Sequence, residues 1–412
     1  MKGRPRASLR LMFIPAQIQL EAKDLLRRNL RAWFPRCQAD VGFHQSFGRD
    51  WTPLPESTRF VVYQSRLIWV AASAAEAIPE LRHELLESVR HGIKGLGEIL
   101  LDPENGGHHW MVDLSGKPLG TAPPVKLAYG LAFALYGLSA AARVLGEESA
   151  HQQASSAFEF LERLHDDAYG GYFESCEADG TPLSITRPKA EGRAFGPSGG
   201  TSRKSQNTQL HILEALLEYQ KLDTTPAITE RIRELTDLMK GAMFAEPGVH
   251  RTRFEADWTP IDSRWEIGHD LEAAFLLLAA DPDDEARKVA ESLLKFNIGH
   301  GFDQEHGGFF DSGPRPGEVG ERVKVWWVQA EALNALTYGL AHLPDLREAL
   351  LTVLELQWHW FRRHQWDEEF DGFFARLEPD GTVRGGGDKA EPWKACYHDV
   401  RALLNLVHAG AS

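Results

Sequence analysis

Apolar positions in this chain fall into two kinds of stretch that alternate from one end to the other. Residues 125–144, 208–219, 271–280, 325–340 and 395–407 are apolar almost all round, the pattern of helices packed on every side. Residues 80–101, 148–164, 229–243, 284–296 and 346–363 keep apolar side chains on one face and charge on the other, the pattern of helices half in contact with water. Buried and half-exposed helices therefore alternate.

The alternation is a repeat. Segments 63–66, 130–133, 211–214, 269–272, 328–331 and 398–401 align with one another. Each lies downstream of a glycine turn, at Gly42-Phe43, Gly107-His108, Gly171-Tyr172, Gly248-Val249, Gly308-Phe309 and Gly372-Phe373. Units recurring about every 60 to 80 residues are the mark of one supersecondary element copied along the chain. Six such helical hairpins closed into a ring predict an all-α fold, an (α/α)6 barrel, whose inner helices bring equivalent residues together near one mouth. The turn pairs Ser115-Gly116, Asp179-Gly180 and Asp380-Gly381 predict short β-hairpins around that mouth. Because the repeat runs from end to end, residues 1–412 are expected to form a single catalytic domain despite their length. Residues 187–205, rich in Gly, Pro, Ser and basic side chains, are expected to form a mobile loop beside the mouth.

Net charge of −14 and an isoelectric point near 5.7 argue against nucleic acid or an anionic membrane as partner. Cys37, Cys176 and Cys396 are too few and too scattered for a disulfide framework, which points to a reducing cytoplasm. The basic segment 1–17, broken by Arg10 and Pro15, does not read as a signal peptide. No stretch is expected to cross a membrane. The expected partner is a small molecule, bound by a monomer or homodimer.

In this alignment His211, His269 and His398 share one repeat position. A lone histidine on an apolar helix is most often a core residue, but core packing gives no reason for three in register. Glu214, Glu272 and Glu331 share a second position, which Arg66 and Arg401 occupy in the first and last units. Buried charges must be paired or hold a ligand, and an ion-paired ring accounts for Glu214 and Arg401. Glu272, three residues after His269, is placed to orient that imidazole and raise its pKa. One neutral and one protonated histidine would then supply a base and an acid. The His-x-x-Glu spacing also suits a divalent ion, but Arg401 would oppose a cation, so no metal and no other cofactor is expected. Trp326, Trp327 and Trp393, with Tyr129 and Tyr397 nearby in sequence, offer ring faces suited to a pyranose. Asn207, four residues before His211, can bond a hydroxyl.

These residues carry a family likeness. Asn207-Thr-Gln-Leu-His211-Ile-Leu-Glu-Ala, Gly268-His269-Asp-Leu-Glu272-Ala, Trp326-Trp327-Val-Gln-Ala-Glu331-Ala and Trp393-Lys-Ala-Cys-Tyr-His398 together resemble the N-acylglucosamine 2-epimerase superfamily, most closely its cellobiose and mannose 2-epimerase branch. Arg66 in Ser65-Arg66-Leu-Ile-Trp and Lys126-Leu-Ala-Tyr129 add to the match. The resemblance implies an (α/α)6 barrel and cofactor-independent proton transfer at C2 of a reducing sugar. It suggests His269 and His398 as the acid–base pair and His211 as a third essential histidine. Arg66, Tyr129 and Asn207 would bind sugar, Glu272 and Glu331 would orient histidines or sugar, and Trp327 and Trp393, with Trp326 beside them, would supply stacking surfaces. Gln209 stands where the cellobiose-type motif often has another histidine, and the 187–205 segment is long for the family. An aldose–ketose isomerase is the alternative chemistry. A glycoside hydrolase on the same barrel would need a carboxylate pair flanking the scissile bond, and a non-catalytic binding protein would not need the histidines.

Overall fold

The computed structural model describes residues 14–120, 124–183, 203–280 and 282–409, so the expected mobile loop lies outside the described residues except for its last three positions. Among the described residues the chain forms α1 (Ala16–Trp33), α2 (Val61–Ala77), α3 (Arg82–Gly95), α4 (Ala128–Leu145), α5 (Glu148–Leu161), α6 (Gln206–Tyr219), α7 (Pro226–Lys240), α8 (Ile267–Ala279), α9 (Asp284–Gly301), α10 (Trp326–His342), α11 (Arg347–Trp360) and α12 (Tyr397–His408). The even-numbered helices pack in succession and close where α12 meets α2. Each odd-numbered helix lies outside an even-numbered one, α1 against α12 and α3 against α2 onward to α11 against α10. This is the (α/α)6 barrel that the alternating pattern predicts.

Burial explains the two kinds of helix. Every residue of α4 from Ala128 to Ala142 is buried, since neighbours cover it on both flanks and the outer layer covers its back. That helix has the length and apolarity to cross a bilayer, but most of its surface is enclosed within the ring. By contrast α7 buries only Ile228, Ile232, Leu235 and Met239, one stripe at helical spacing. Pro226 opens α7 at its first turn, and Asp283 caps α9 by accepting from the Ala286 amide.

Short strands ring one end of the barrel. Strand β1 (Thr58–Phe60) precedes α2 and pairs antiparallel with β2 (Met111–Asp113) of the next unit. The same linkage joins β3 (Lys126–Leu127) to β4 (Ser175–Cys176), β5 (Lys204–Ser205) to β8 (Arg253–Phe254), β9 (Trp265–Glu266) to β10 (Ser312–Gly313), and β11 (Lys324–Val325) to β12 (Arg376–Leu377). One further hairpin pairs β6 (Phe244–Ala245) with β7 (Val249–His250). The inner helices α2, α4, α6, α8 and α10 thus each begin directly after a strand paired with the next unit, which fixes their first turns at the mouth.

Two repeated contacts lock this arrangement. In the first, an inner-helix amide clasps the backbone of a glycine turn. Gln64 does so at Phe43, Gln209 at Tyr172 and Gln329 at Phe309, each side chain accepting from the amide and donating to the carbonyl. Asp270 takes the same place in α8, accepting from the His250 amide at 2.9 Å. The turn glycine before Tyr172 has φ of +70°, and a Cβ there would lie 2.6 Å from Trp258, so a side chain is excluded by conformation and by space. In the second contact, a buried lysine joins three loops. Lys204 donates to Asp166, Gly170 O and Ala256 O, each at 2.7 Å. Lys126 and Lys324 repeat the pattern with Asp102 and Asp303, and Lys389 with Asp367.

Removing one partner of such a pair strands the other in a dry interior. Lys204→Met should therefore lower unfolding free energy by about 3–5 kcal/mol. Exposed Lys295→Met, which breaks a surface pair, should change it by less than about 1 kcal/mol. Parallel denaturant melts read the difference, and equal midpoints would remove the buried lysines from the stability account.

Candidate active site

The helix starts set the true register of the repeat. Counting from each start, the sixth residues of α2, α4, α6, α8 and α10 are Arg66, Phe133, His211, Glu272 and Glu331, and Arg401 is the fifth of α12. This corrects the alignment of His211 with His269 and His398. His211 belongs one turn deeper, on the level of the glutamates and arginines, and Glu214 lies a turn below that.

The deeper level is a closed set of contacts. Arg401 donates to Glu272 at 2.6 Å, to Glu214 and to the Tyr397 hydroxyl, and lies 2.6 Å from Glu331. His211 Nδ1 is 3.1 Å from Glu214, and its Nε2 is 3.9 Å from Glu272. Across the ring the Arg66 guanidinium sits 4.5 Å from the Phe133 ring centre and 5.0 Å from that of Tyr397. Arg66 donates to the Trp393 carbonyl and the Tyr129 hydroxyl at 3.2 Å each, and its buried Nε has no partner. No carboxylate lies within ion-pair distance of Arg66 among the described residues. A buried cation held by aromatic faces and neutral acceptors is poised for an anionic oxygen.

One turn nearer the mouth stand His269 and His398. Trp327 lies against both, its ring centre 4.9 Å from that of His269 and 5.9 Å from that of His398. Gly268 makes room for it, because a Cβ there would come within 2.4 Å of the indole. Behind His398, Nδ1 is 2.7 Å from Glu331. His269 and Asn207 line a cavity of about 250 Å³ with Gln206, Arg264 and Glu266, and the Asn207 carbonyl oxygen there has no partner. Trp393 is 43% exposed at the mouth, with Tyr129 and Phe60 edge-on to it and Trp110 tilted against it. Trp326 does not join them. It is 6% exposed and packs within the hydrophobic core, the ordinary helix-to-hairpin role for one of two adjacent tryptophans. Trp110 and Phe60 were not singled out from the sequence, although Trp110 follows the Gly107-His108 turn and immediately precedes β2.

The electrostatics revise the expected histidine pair. Burial, helped by Arg264, lowers the His269 pKa to about 4. His269 makes no hydrogen bond to Glu272, whose carboxylate turns instead toward Arg401. The expected His269–Glu272 couple is therefore replaced by His398–Glu331, 67 residues apart. Burial and Arg66 push His398 well below its ordinary value. Burial and the neighbouring Glu272 push Glu331 well above its own, and burial pushes Glu272 up to about 8. His398 and Glu331 can thus share one proton across 2.7 Å, while His269 rests as a neutral base.

Ligand atoms of His211, Glu214 and Glu272, and of Glu272, Glu331 and His398, fall within 4.8 Å of one another. A divalent ion at either place would have to displace the Arg401 guanidinium, which contacts Glu214, Glu272 and Glu331. The donor set does not suit a resident metal.

A depressed pKa keeps His269 neutral as pH falls until about 4. If that ring is the base, kcat/KM should hold through pH 6.5 and drop only as pH approaches about 4. An acid limb centred near 6.5, with the fold intact by circular dichroism, would contradict the assignment.

Residues 42–402 match the family model for N-acylglucosamine 2-epimerase (GlcNAc 2-epimerase). A cellobiose 2-epimerase of Bacteroides fragilis is 26% identical over 400 residues, covering 93% of this chain and 97% of the relative. The solved structure of cellobiose 2-epimerase from Spirochaeta thermophila superimposes with a TM-score of 0.83 at 28% identity, covering 98% of this chain and 99% of that one. A D-mannose isomerase structure shares the fold, with a TM-score of 0.82 at 22% identity over 96% and 99% of the two chains. The chain belongs to the N-acylglucosamine 2-epimerase family of carbohydrate epimerases.

Proposed function

We propose that this protein is a cofactor-independent 2-epimerase acting at the reducing-end C2 of a neutral aldose, either glucose and mannose or a β-1,4-linked disaccharide such as cellobiose. The observation that carries the reading is the pair His269 and His398, both packed against Trp327, one turn above Arg66, which has no carboxylate within ion-pair distance among the described residues. Cellobiose 2-epimerases among the relatives support the substrate class.

The chemistry follows from the groups present. An open-chain aldose places its C2–H beside the aldehyde, where proton loss is eased because the electron pair passes into an enediolate. His269, the neutral base, takes that proton. The negative charge gathers on O1, where Arg66 and the Tyr129 hydroxyl are the nearest donors, preorganised because Phe133, Tyr397 and Trp393 already hold them. The proton shared by His398 and Glu331 is then delivered to the opposite face of C2, which inverts the centre. His211, oriented by Glu214, serves ring opening at the O1 end, and Asn207 binds a hydroxyl. Trp393 stacks against the sugar at the mouth. Delivery of the proton to C1 instead would make a ketose.

Incubated with glucose, mannose and cellobiose in deuterated water, the protein should form the C2 epimer carrying deuterium at C2. His269→Ala and His398→Ala should each lower turnover by at least about a hundredfold with helical content unchanged. A ketose labelled at C1 would replace epimerisation with isomerisation. Near-normal turnover in either folded variant would remove that histidine from the chemistry.

A further inference from the structure

Two-base epimerisation leaves the enzyme in the wrong state after every turnover. His269 has gained the proton that C2 lost, and the His398–Glu331 pair has lost the one that C2 gained. Before the next substrate in the same direction, His269 must release a proton and the pair must recover one. His269 is half-buried beside the small cavity at the mouth and can exchange there. His398 and Glu331 are enclosed in the barrel.

Beneath them lies a series of proton-carrying groups separated by short steps. Glu272 has a ligand atom within 4.8 Å of those of both Glu331 and His398, and one of its oxygens is buried without a partner. His211 Nε2 is 3.9 Å from that same oxygen, Oε2, and His211 Nδ1 is 3.1 Å from Glu214. Glu214 in turn lines a second cavity, of about 830 Å³, at the opposite end of the barrel from the mouth. Its walls include Trp69, Tyr136, Phe275 and Arg401, and its rim carries the exposed side chains of Glu76, Lys221 and Asp283. A polar cavity of that size with an exposed rim admits water. Among the described residues no hydrogen bond joins Glu272 to Glu331 or His398, and the step from Glu272 to His211 is 3.9 Å; a small side-chain rotation or one bridging water closes each.

We propose that Glu331, Glu272, His211 and Glu214 form a proton-return path through the barrel floor, connecting His398 to the lower cavity. The path rests on the acid–base assignment of His269 and His398. In the direction described, Glu214 takes a proton from the cavity and passes it to His211, which passes one to Glu272, and Glu272 restores the Glu331–His398 pair. His269 releases its proton at the mouth, so one proton enters, one leaves, and the enzyme returns to its starting state. The elevated carboxyl pKa values of Glu272 and Glu331 suit them to carry a proton at neutral pH. Arg401 holds the carboxylates in place and carries none itself.

Glu214→Gln keeps an acceptor for His211 but cannot relay a proton. Because Glu214 also orients His211, a single turnover followed by rapid quench should slow to some degree, and steady-state kcat should fall by about tenfold or more beyond that loss. Tracer equilibrium should become perturbed at high total sugar as resetting becomes slow, and Glu214→Asp should restore much of the rate. Parallel loss of both rates would make Glu214 a positioning residue only, and unchanged rates would leave it no role; either result overturns the path. Should Glu214→Gln fail to fold, Ser73→Trp fills the lower cavity from α2 without touching Glu214. The same split between the two rates is expected there, and its absence overturns the proposal. Failure of the wild-type protein to place deuterium at C2 would instead overturn the epimerase reading, independently of Glu214.

Discussion

Arg401 is the side chain around which the barrel interior is arranged. It sits at the centre of a ring of helices, buried, and meets carboxylates from α6, α8 and α10. Three such carboxylates would repel one another and lose their hydration, so they persist there only because a planar cation satisfies them together. The balance is incomplete, since one guanidinium faces three acids: burial raises the pKa values of Glu272 and Glu331, and the neighbouring Glu272 adds to the rise at Glu331. A protonatable acid is thereby held behind His398 without any group being exposed to water.

The same arrangement leaves Arg66 free. Because Arg401 takes the carboxylates in direct ion pairs, the second buried guanidinium touches aromatic faces, a carbonyl and a phenol, with no carboxylate within ion-pair distance among the described residues. Its charge stays available to an oxygen of the substrate. The scaffold supplies the positions cheaply, because α2, α6, α8 and α10 each hang from a strand and a glutamine or aspartate clasp at the mouth, and loops between units can vary without moving those first helical turns.

Much of the fold is legible in the sequence because closure of the ring writes itself as all-round apolarity on alternate helices. The active-site residues are legible as residue types at helix starts, and His269, His398, Arg66 and Asn207 all reach the interior or its mouth. Pairing is not. His211-x-x-Glu214 looks like His269-x-x-Glu272, and this local likeness shifts the third unit by one turn. Gln209, matching Gln64 and Gln329 as a clasp, carries the correct register, as does the spacing of the buried lysines before α4, α6 and α10. Which carboxylate serves which histidine depends on contacts spanning 67 to 187 residues, such as Glu331 with His398 and Glu214 with Arg401, and helix periodicity holds no record of them.

The measurement that bears most directly on this account is the turnover of Arg401→Lys, set beside its helical content and melting temperature. Lysine keeps the positive charge but offers a single point of attachment where the guanidinium fork meets three carboxylates. The account predicts a folded protein whose kcat falls by about a hundredfold, because Glu331 is no longer held against His398. A folded Arg401→Lys protein with wild-type turnover would show that the carboxylates are placed by the helices alone, and would contradict the account at its centre.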